Sequence, residues 1–223
     1  MAINIKNTKT VANDGGKILV YGQAGAGKTS LIRTLPSPIV LSAEAGLLSI
    51  AGSDIPYIEI HNLDELNEAY NYVHEHVREY GAIVLDSISE IAEVVLSAEK
   101  AKNKDLRQAY GALQDTMNIL IRSFRDLPAN IYFSAKMEKI QDDTGRVYFG
   151  PAAPGTKVSQ SLPYFFDEVF ALRVEQDQDG RYARWLQTSL DSTFIAKDRS
   201  GKLSQFEAPD LGAIIAKIGG ANG

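Results

Sequence analysis

Lys17-Ile-Leu-Val-Tyr-Gly22-Gln-Ala-Gly-Ala-Gly27-Lys28-Thr29-Ser30-Leu-Ile-Arg-Thr-Leu35 is the stretch that decides the fold. It opens on an apolar run that reads as a buried strand and closes on a segment that reads as a helix from Lys28 to Leu35, stopped by Pro36. Between them the spacing is G-x-x-x-x-G-K-[ST], in the strand–helix setting that gives this spacing a mechanism. Small residues let successive backbone N–H groups curl around an anion without side-chain clash. A helix beginning behind the loop adds its positive end. Gly22, Gln23, Ala24, Gly25, Ala26, Gly27, Lys28, Thr29 and Ser30 are therefore the expected phosphate-binding segment. The Lys28 ammonium is expected to reach β- and γ-phosphates, and the Thr29 hydroxyl a Mg²⁺ ion. A glycine-rich turn that binds nothing has no need of either side chain.

Outward from this stretch, apolar runs alternate with helical patterns. Pro38–Ala43, Tyr57–Ile60, Ala82–Ser87 and Ile131–Lys136 read as strands. A helix capped by Asn62 or Asp64 carries Leu66, Tyr70, Val73 and Val77 on one face, and Ile88–Ala98 is a second helix. Leu106–Leu127 is a third, with Leu106, Tyr110, Leu113, Met117, Leu120 and Phe124 as its stripe. Apolar strands alternating with helices predict an α/β fold with a mostly parallel central sheet flanked by helices. After it, Glu168–Glu175 and Arg181–Thr188 flank Asp177-Gln-Asp-Gly180 as a hairpin; Thr193–Lys197 reads as a strand and Pro209–Ile218 as a closing helix. This predicts a C-terminal antiparallel extension within one domain over 1–223. Residues 1–15 are expected to be a flexible or oligomer-contacting arm and 219–223 a tail. Turn clusters are expected at Lys100–Arg107, Gln141–Gly145 and Gly150–Gly155.

The chain has 223 residues, 44% of them hydrophobic and 23% charged, the composition of a soluble globular protein and not of a disordered or collagen-like one. It has no cysteine, which excludes disulfides, thiolate metal sites and cysteine nucleophiles. No apolar run is long enough for a membrane span and the N-terminal stretch is polar, so the cytoplasm is the expected compartment. The net charge is −5, but Val40–Lys100 holds 12 acidic and 2 basic residues, so the remainder carries +5 and a local basic face is permitted. His74 and His76, two apart on a helix, point away from each other and make a poor metal pair; Trp185 reads as strand packing.

Asp86 ends the strand Ala82–Asp86 at the edge where open α/β sheets bind ligands, and is expected to hold Mg²⁺ directly or through water. Its plainer alternative is to cap the helix at Ile88. Hydrolysis also needs a group that orients or deprotonates water. The position after Asp86 is Ser87, so Glu44 is the candidate, provided its strand neighbours the first; Glu90 is the weaker one.

With these residues in place the chain resembles the RecA-type P-loop ATPases, and more closely the phage-encoded RecA-like recombinases of the Sak type, linked to single-strand annealing. The likeness spans Lys17–Ile215: Gly22–Thr29 matches the Walker A loop, Asp86 the Walker B aspartate, and Ser42-Ala-Glu44-Ala the stretch holding the catalytic glutamate. Ala196-Lys197-Asp-Arg199 resembles the late pair of cations that reaches the neighbouring subunit's ATP, so Lys197 and Arg199 join Lys28 and Glu44 as implied catalytic residues. The resemblance implies ATP and Mg²⁺ as cofactors, a ring or filament of identical subunits with ATP at the interface, and DNA-stimulated ATP hydrolysis. It further implies single-stranded DNA as partner, with a single-strand-binding protein as a second, in the host cytoplasm and away from membranes.

The resemblance also implies two DNA loops. The first is Ser97–Tyr110, with Lys100, Lys102, Lys104 and Arg107; the second is Glu138–Lys157, with Lys139, Arg146, Tyr148, Phe149 and Lys157. Cations for phosphates and aromatic rings for bases suit single strands. Against it stand the ordinary fates of such residues, a solvated charge run and a core aromatic. After the fifth strand Ser134-Ala-Lys136 stands where the family has Asn-Gln, and within residues 1–223 neither a sizeable N-terminal helix nor a C-terminal DNA-gathering domain is expected. Two other functions compete: a nucleotide-dependent assembly switch with negligible turnover, and a small-molecule kinase. Glu44 speaks against the first, and the lack of an arginine-rich lid against the second.

Overall fold

The computed structural model describes residues 15–44, 46–142, 144–176 and 179–219. In chain order the strands are β1 (Lys17–Gly22), β2 (Pro38–Ser42), β3 (Tyr57–Glu59), β4 (Ala82–Asp86), β5 (Asn130–Gln141), β6 (Val147–Ala152), β7 (Glu168–Gln176), β8 (Tyr182–Gln187), β9 (Lys197–Asp198) and β10 (Phe206–Glu207). The helices are α1 (Leu63–Glu75), α2 (Ile88–Lys102), α3 (Leu106–Arg125), α4 (Thr156–Phe165) and α5 (Leu211–Gly219). Among the described residues the strands form one sheet in the order β10-β8-β7-β1-β5-β4-β2-β3, with β6 on β5 and β9 on β7. From β7 to β3 every neighbour is parallel. The pairings of β8, β10, β6 and β9 are antiparallel. The fold is thus α/β, a mostly parallel sheet flanked by helices with an antiparallel extension.

β1, β2 and β4 are buried at every position because both faces of the sheet are covered. Alternate residues serve opposite layers. Leu19, Tyr21, Leu41 and Leu85 pack under α1, α2, α3 and α4, whereas Val20, Val40 and Val84 meet α5 and the turns after β1 and β2. Asn62 caps α1, its side chain accepting from the Glu65 N–H. Of the α3 stripe, Leu113, Met117 and Phe124 are buried as expected and Leu120 is half-buried against the core; Ala109 and Ile121 are buried beside them, while Leu106 and Tyr110 stay exposed. Trp185 meets the Phe206 ring edge-on.

Several expectations are corrected. Thr29–Thr34 is a short 3-10 helix, because Pro36 leaves too little chain for a full α-helix, so the loop rather than a long helix dipole supplies most of any phosphate cradle. α2 runs on to Lys102, and Asp105 caps α3, accepting from the Arg107 N–H at 2.9 Å. The first expected DNA loop therefore shrinks to Asn103–Asp105; Lys100 and Lys102 lie in a last helical turn, where cations suit the carbonyl end. The second is a β5–β6 hairpin closed by Asp142, which accepts from Thr144 and Arg146. It is followed by α4, unforeseen because Pro163 sits inside it. The strand expected at Thr193–Lys197 is reduced to β9 and one bridge between Phe149 and Phe194. The expected arm at 1–15 and tail at 219–223 fall outside the described residues but for Gly15 and Gly219.

Candidate functional site: a phosphate cavity and a basic cleft on one sheet edge

The C-terminal ends of β1, β4 and β2 share one edge of the sheet, where β5 passes between β1 and β4 at Lys136, and a cavity of about 520 Å³ opens there. Gly22–Gly25 and Gly27–Ser30 line it, facing Glu44 and Lys136. Ala26 instead turns into the core, 3% exposed. Gly25 and Gly27 take φ of +76° and +107°, a backbone turn that any side chain would strain. The Lys28 ammonium folds across the loop onto the carbonyls of Gly22 and Gln23 at 2.9 and 3.0 Å. Burial lowers its pKa; Glu44 and Asp86 oppose this, and Lys136 adds to it.

Behind Lys28, the buried Tyr132 hydroxyl donates to the Lys28 carbonyl at 2.9 Å. Arg184 of β8 donates through Nε to the Ala26 carbonyl at 3.0 Å, so the antiparallel extension props the loop from outside. Neither contact was legible in the sequence, since each depends on which strand neighbours which. Burial, with the Asp86 charge second, holds the Tyr132 hydroxyl protonated, its pKa well above 10.

Asp86 is 3% exposed. It accepts from the Thr29 hydroxyl at 2.7 Å and from the Ser134 hydroxyl. The capping role weighed for it belongs to Ser87, which accepts from the Glu90 N–H and donates to Glu44 Oε1 at 2.6 Å. Among the described residues no group of three or more His, Asp or Glu could hold a metal ion. The donors that suit Mg²⁺ are the hard oxygens of Thr29 and Asp86, a set that leaves room for phosphate oxygens and water.

Glu44 reaches this site by a route other than the expected one. β2 neighbours β4, not β1, with Ser42 opposite Asp86. Its carboxylate is anchored by Ser87 and lines the cavity with Lys28. Glu90 is turned aside onto Lys136 in an ion pair. Lys197 and Arg199 lie at the other end of the sheet. β9 pairs with β7 at Glu168, level with Ile18, where β1 begins. There Lys197 donates to the Pro163 carbonyl at 2.6 Å and Arg199 pairs with Asp167 at 2.5 Å. They are thus remote from their own phosphate loop.

The residues expected to meet DNA divide. Arg107, Tyr110 and Lys157, from α3 and α4, line one cleft of about 690 Å³ with Leu106 and Gly155. Lys100 adds its ammonium 5.8 Å from the Tyr110 ring centre. Gly155 takes φ +85° at the start of α4, and a side chain there would touch Tyr110 and Leu113. This cleft is on the phosphate edge: β6 enters α4 from Ala152, which pairs with Lys136, itself opposite Gly22. Lys104 and Lys139 are exposed, and Lys102 pairs with Glu99 at 3.3 Å. Arg146 and Phe149 have partners within the fold: the Arg146 guanidinium is held by the carbonyls of Asp191 and Ser192, and the Phe149 ring stacks on Phe194 at 5.2 Å. Tyr148 is half-buried. Tyr110, assigned to the core by helical spacing, is the aromatic residue that the cleft presents.

A glycine loop after the central strand, a threonine–aspartate oxygen pair and a lysine inside the loop define a P-loop nucleotide-binding domain of the ATPase class. The chain belongs to the AAA-domain family, whose model matches residues 14–200. No curated protein matches it. Among solved structures, a KaiC-like protein from the hyperthermophilic archaeon Pyrococcus horikoshii is similar, with 14% identity over 77% of each chain and a TM-score of 0.43. No helix among the described residues is long and apolar enough to cross a membrane.

Proposed function

We propose that this chain hydrolyses ATP while bound to single-stranded DNA, in annealing or recombination of a phage genome. The observation that carries the reading is the meeting of Arg107, Tyr110 and Lys157, from distant parts of the chain, in one cleft on the phosphate edge. Cations lining a cleft suit a sugar–phosphate backbone, and an exposed tyrosine ring suits an unpaired base.

In the cavity, loop N–H groups and the Lys28 ammonium hold the β- and γ-phosphate oxygens. Thr29 and Asp86 would hold Mg²⁺, which would neutralise phosphate charge. Glu44, fixed by Ser87, orients a water molecule toward the γ-phosphorus and takes its proton as the new phosphorus–oxygen bond forms, while the bond to the β,γ-bridging oxygen breaks and ADP leaves with that electron pair. Charge developing on the transferred group needs a further cation. Lys197 and Arg199 of a neighbouring subunit supply it, which makes a homo-oligomeric ring or filament with ATP at the interface the working form. A single-strand-binding protein is the second proposed partner, and the host cytoplasm the compartment.

The test is the ATPase rate of the full chain with and without an unstructured oligonucleotide, beside a Lys28→Ala control. Stimulation by single strands above that by matched duplex is expected. An ATPase that both leave unchanged, with no single-strand binding by anisotropy, refutes the DNA reading and leaves the ATPase.

A further inference from the structure

A trans peptide aims its carbonyl and its N–H in opposite directions, so a partner that fixes one end fixes the other. Two carbonyls of the glycine loop are held by side chains from other strands. The Ala26 carbonyl accepts from Arg184 Nε at 3.0 Å, and the Lys28 carbonyl from the Tyr132 hydroxyl at 2.9 Å. The far ends of those two peptides are the N–H groups of Gly27 and Thr29, residues that line the cavity. On either side the backbone turns back on itself. The Ala26 N–H donates to the Gln23 carbonyl, and the Leu31 N–H to the carbonyls of Gly27 and Lys28, each at 3.2 Å.

The two holds are unlike. Tyr132 is wholly buried and reaches the loop from within the core. Arg184 is exposed and stands on β8, opposite Val174 of β7, so it reaches the loop from the antiparallel extension. The peptide it holds has little stiffness of its own. Gly27 takes φ +107°, and glycine occupies either sign of φ at small cost, so this peptide can turn over unless something keeps its carbonyl outward. A guanidinium makes a charge-assisted hydrogen bond, stronger than a neutral donor would make. Hydrogen bonds in series polarise one another, so a cation on the carbonyl also makes the N–H at the other end a better donor.

We propose that Arg184 is a positioning residue for anion binding: it holds the Ala26–Gly27 peptide so that the Gly27 N–H faces the phosphates, and so makes the phosphate affinity of the cavity depend on the antiparallel extension. The proposal rests on the reading of the cavity as a nucleotide site.

Calorimetric titration of the full chain with pyrophosphate and with ADP, both with Mg²⁺, and amide spectra by nuclear magnetic resonance test it. In the wild type the Gly27 and Thr29 amide resonances should both move on pyrophosphate binding. Arg184→Met is expected to weaken both ligands alike, about tenfold, the scale of one charge-assisted hydrogen bond. It should also cut the Gly27 response and spare that of Thr29. Tyr132→Phe should do the reverse, sparing Gly27 and cutting Thr29. Arg184→Lys, which keeps a cationic donor, should retain most of the affinity. Equal thermal unfolding of the variants and the wild type separates these effects from misfolding. Unchanged affinity in Arg184→Met overturns the proposal. So does weaker binding with the Gly27 response intact, which would mean that Arg184 acts by charge alone. In both cases binding by the wild type upholds the nucleotide site. A wild-type chain that binds neither ligand overturns both readings.

Discussion

Raising the pH from 5 to 8 should destabilise this protein through one side chain. Glu168, at the start of β7, is 1% exposed, and its Oε2 atom has no hydrogen-bond partner. Its Oε1 accepts from the Ser200 N–H at 3.2 Å, and Asp198, Asp167, Lys197 and Arg199 surround it. Burial first, then the charge of Asp198, raises its pKa from 4.5 to about 7. The folded chain therefore holds this proton more tightly than the unfolded chain. The contribution is fully present below about pH 4.5 and is lost as the pH rises through 7. The shift corresponds to roughly 3 kcal/mol, of which about 2.5 kcal/mol is lost between pH 5 and 8, and for a chain of this size that is roughly 5–10 °C in Tm. Thermal unfolding of the wild type and of Glu168→Gln at half-unit steps of pH isolates the effect, because every other group titrates in both. The wild type should lose stability relative to the variant across the window. Parallel curves would show that Glu168 is already ionised in the fold and that the orphan oxygen has another explanation.

Glu44→Gln should keep the Ser87 hydrogen bond, bind ATP at least as tightly as the wild type, and hydrolyse it about 10²–10⁴-fold more slowly; an unchanged single-turnover rate removes Glu44 from the chemistry. Neutralising Arg107 and Lys157 together should flatten the slope of log affinity for single strands against log salt by about 1.4, while Tyr110→Ala should weaken binding by ~1–3 kcal/mol with the slope kept. Anisotropy over a salt series reads both, and a slope indifferent to the double substitution places the DNA elsewhere. Mixing Arg199→Ala with Glu44→Gln subunits should restore part of the ATPase through intact interfaces; no recovery in verified mixed assemblies counts against action between subunits.

The elements that were legible in the sequence are those whose signals are local. β1, its glycine loop and the Asn62 cap follow from neighbouring residues alone. The end of β4 at Asp86 was legible too, because an apolar run stops at a carboxylate. What stayed hidden depends on pairing at a distance. Nothing in Pro38–Ser42 says that it lies against β4, so Glu44 was expected to arrive by way of β1. Ser87 took the capping role because its hydroxyl, unlike the engaged Asp86 carboxylate, was free to accept from the Glu90 N–H. The two supposed DNA loops were misjudged because charge was read as loop. Glu99–Lys102 continues a helix readily, and Lys136–Gln141 gains a strand partner from across the Asp142 turn. Phe149 could not be told from a base-stacking ring until Phe194 was found beneath it.

β5 lies between the strand that bears the glycine loop and the strand that bears Asp86, and it does not end where they do. It continues from Lys136 to Gln141, stiffened throughout by β6. At about 3.3 Å per residue this is an arm of roughly 16 Å anchored at the phosphate edge, so a tilt of about 10° at its root sweeps the tip through about 3 Å. A slack loop of the same length would absorb such a tilt, whereas a paired ribbon passes it on multiplied. A rotation of the hairpin about the cavity edge would therefore be largest at its tip, and the segment 191–195, which holds Arg146 and carries Phe194 against Phe149, would move with it.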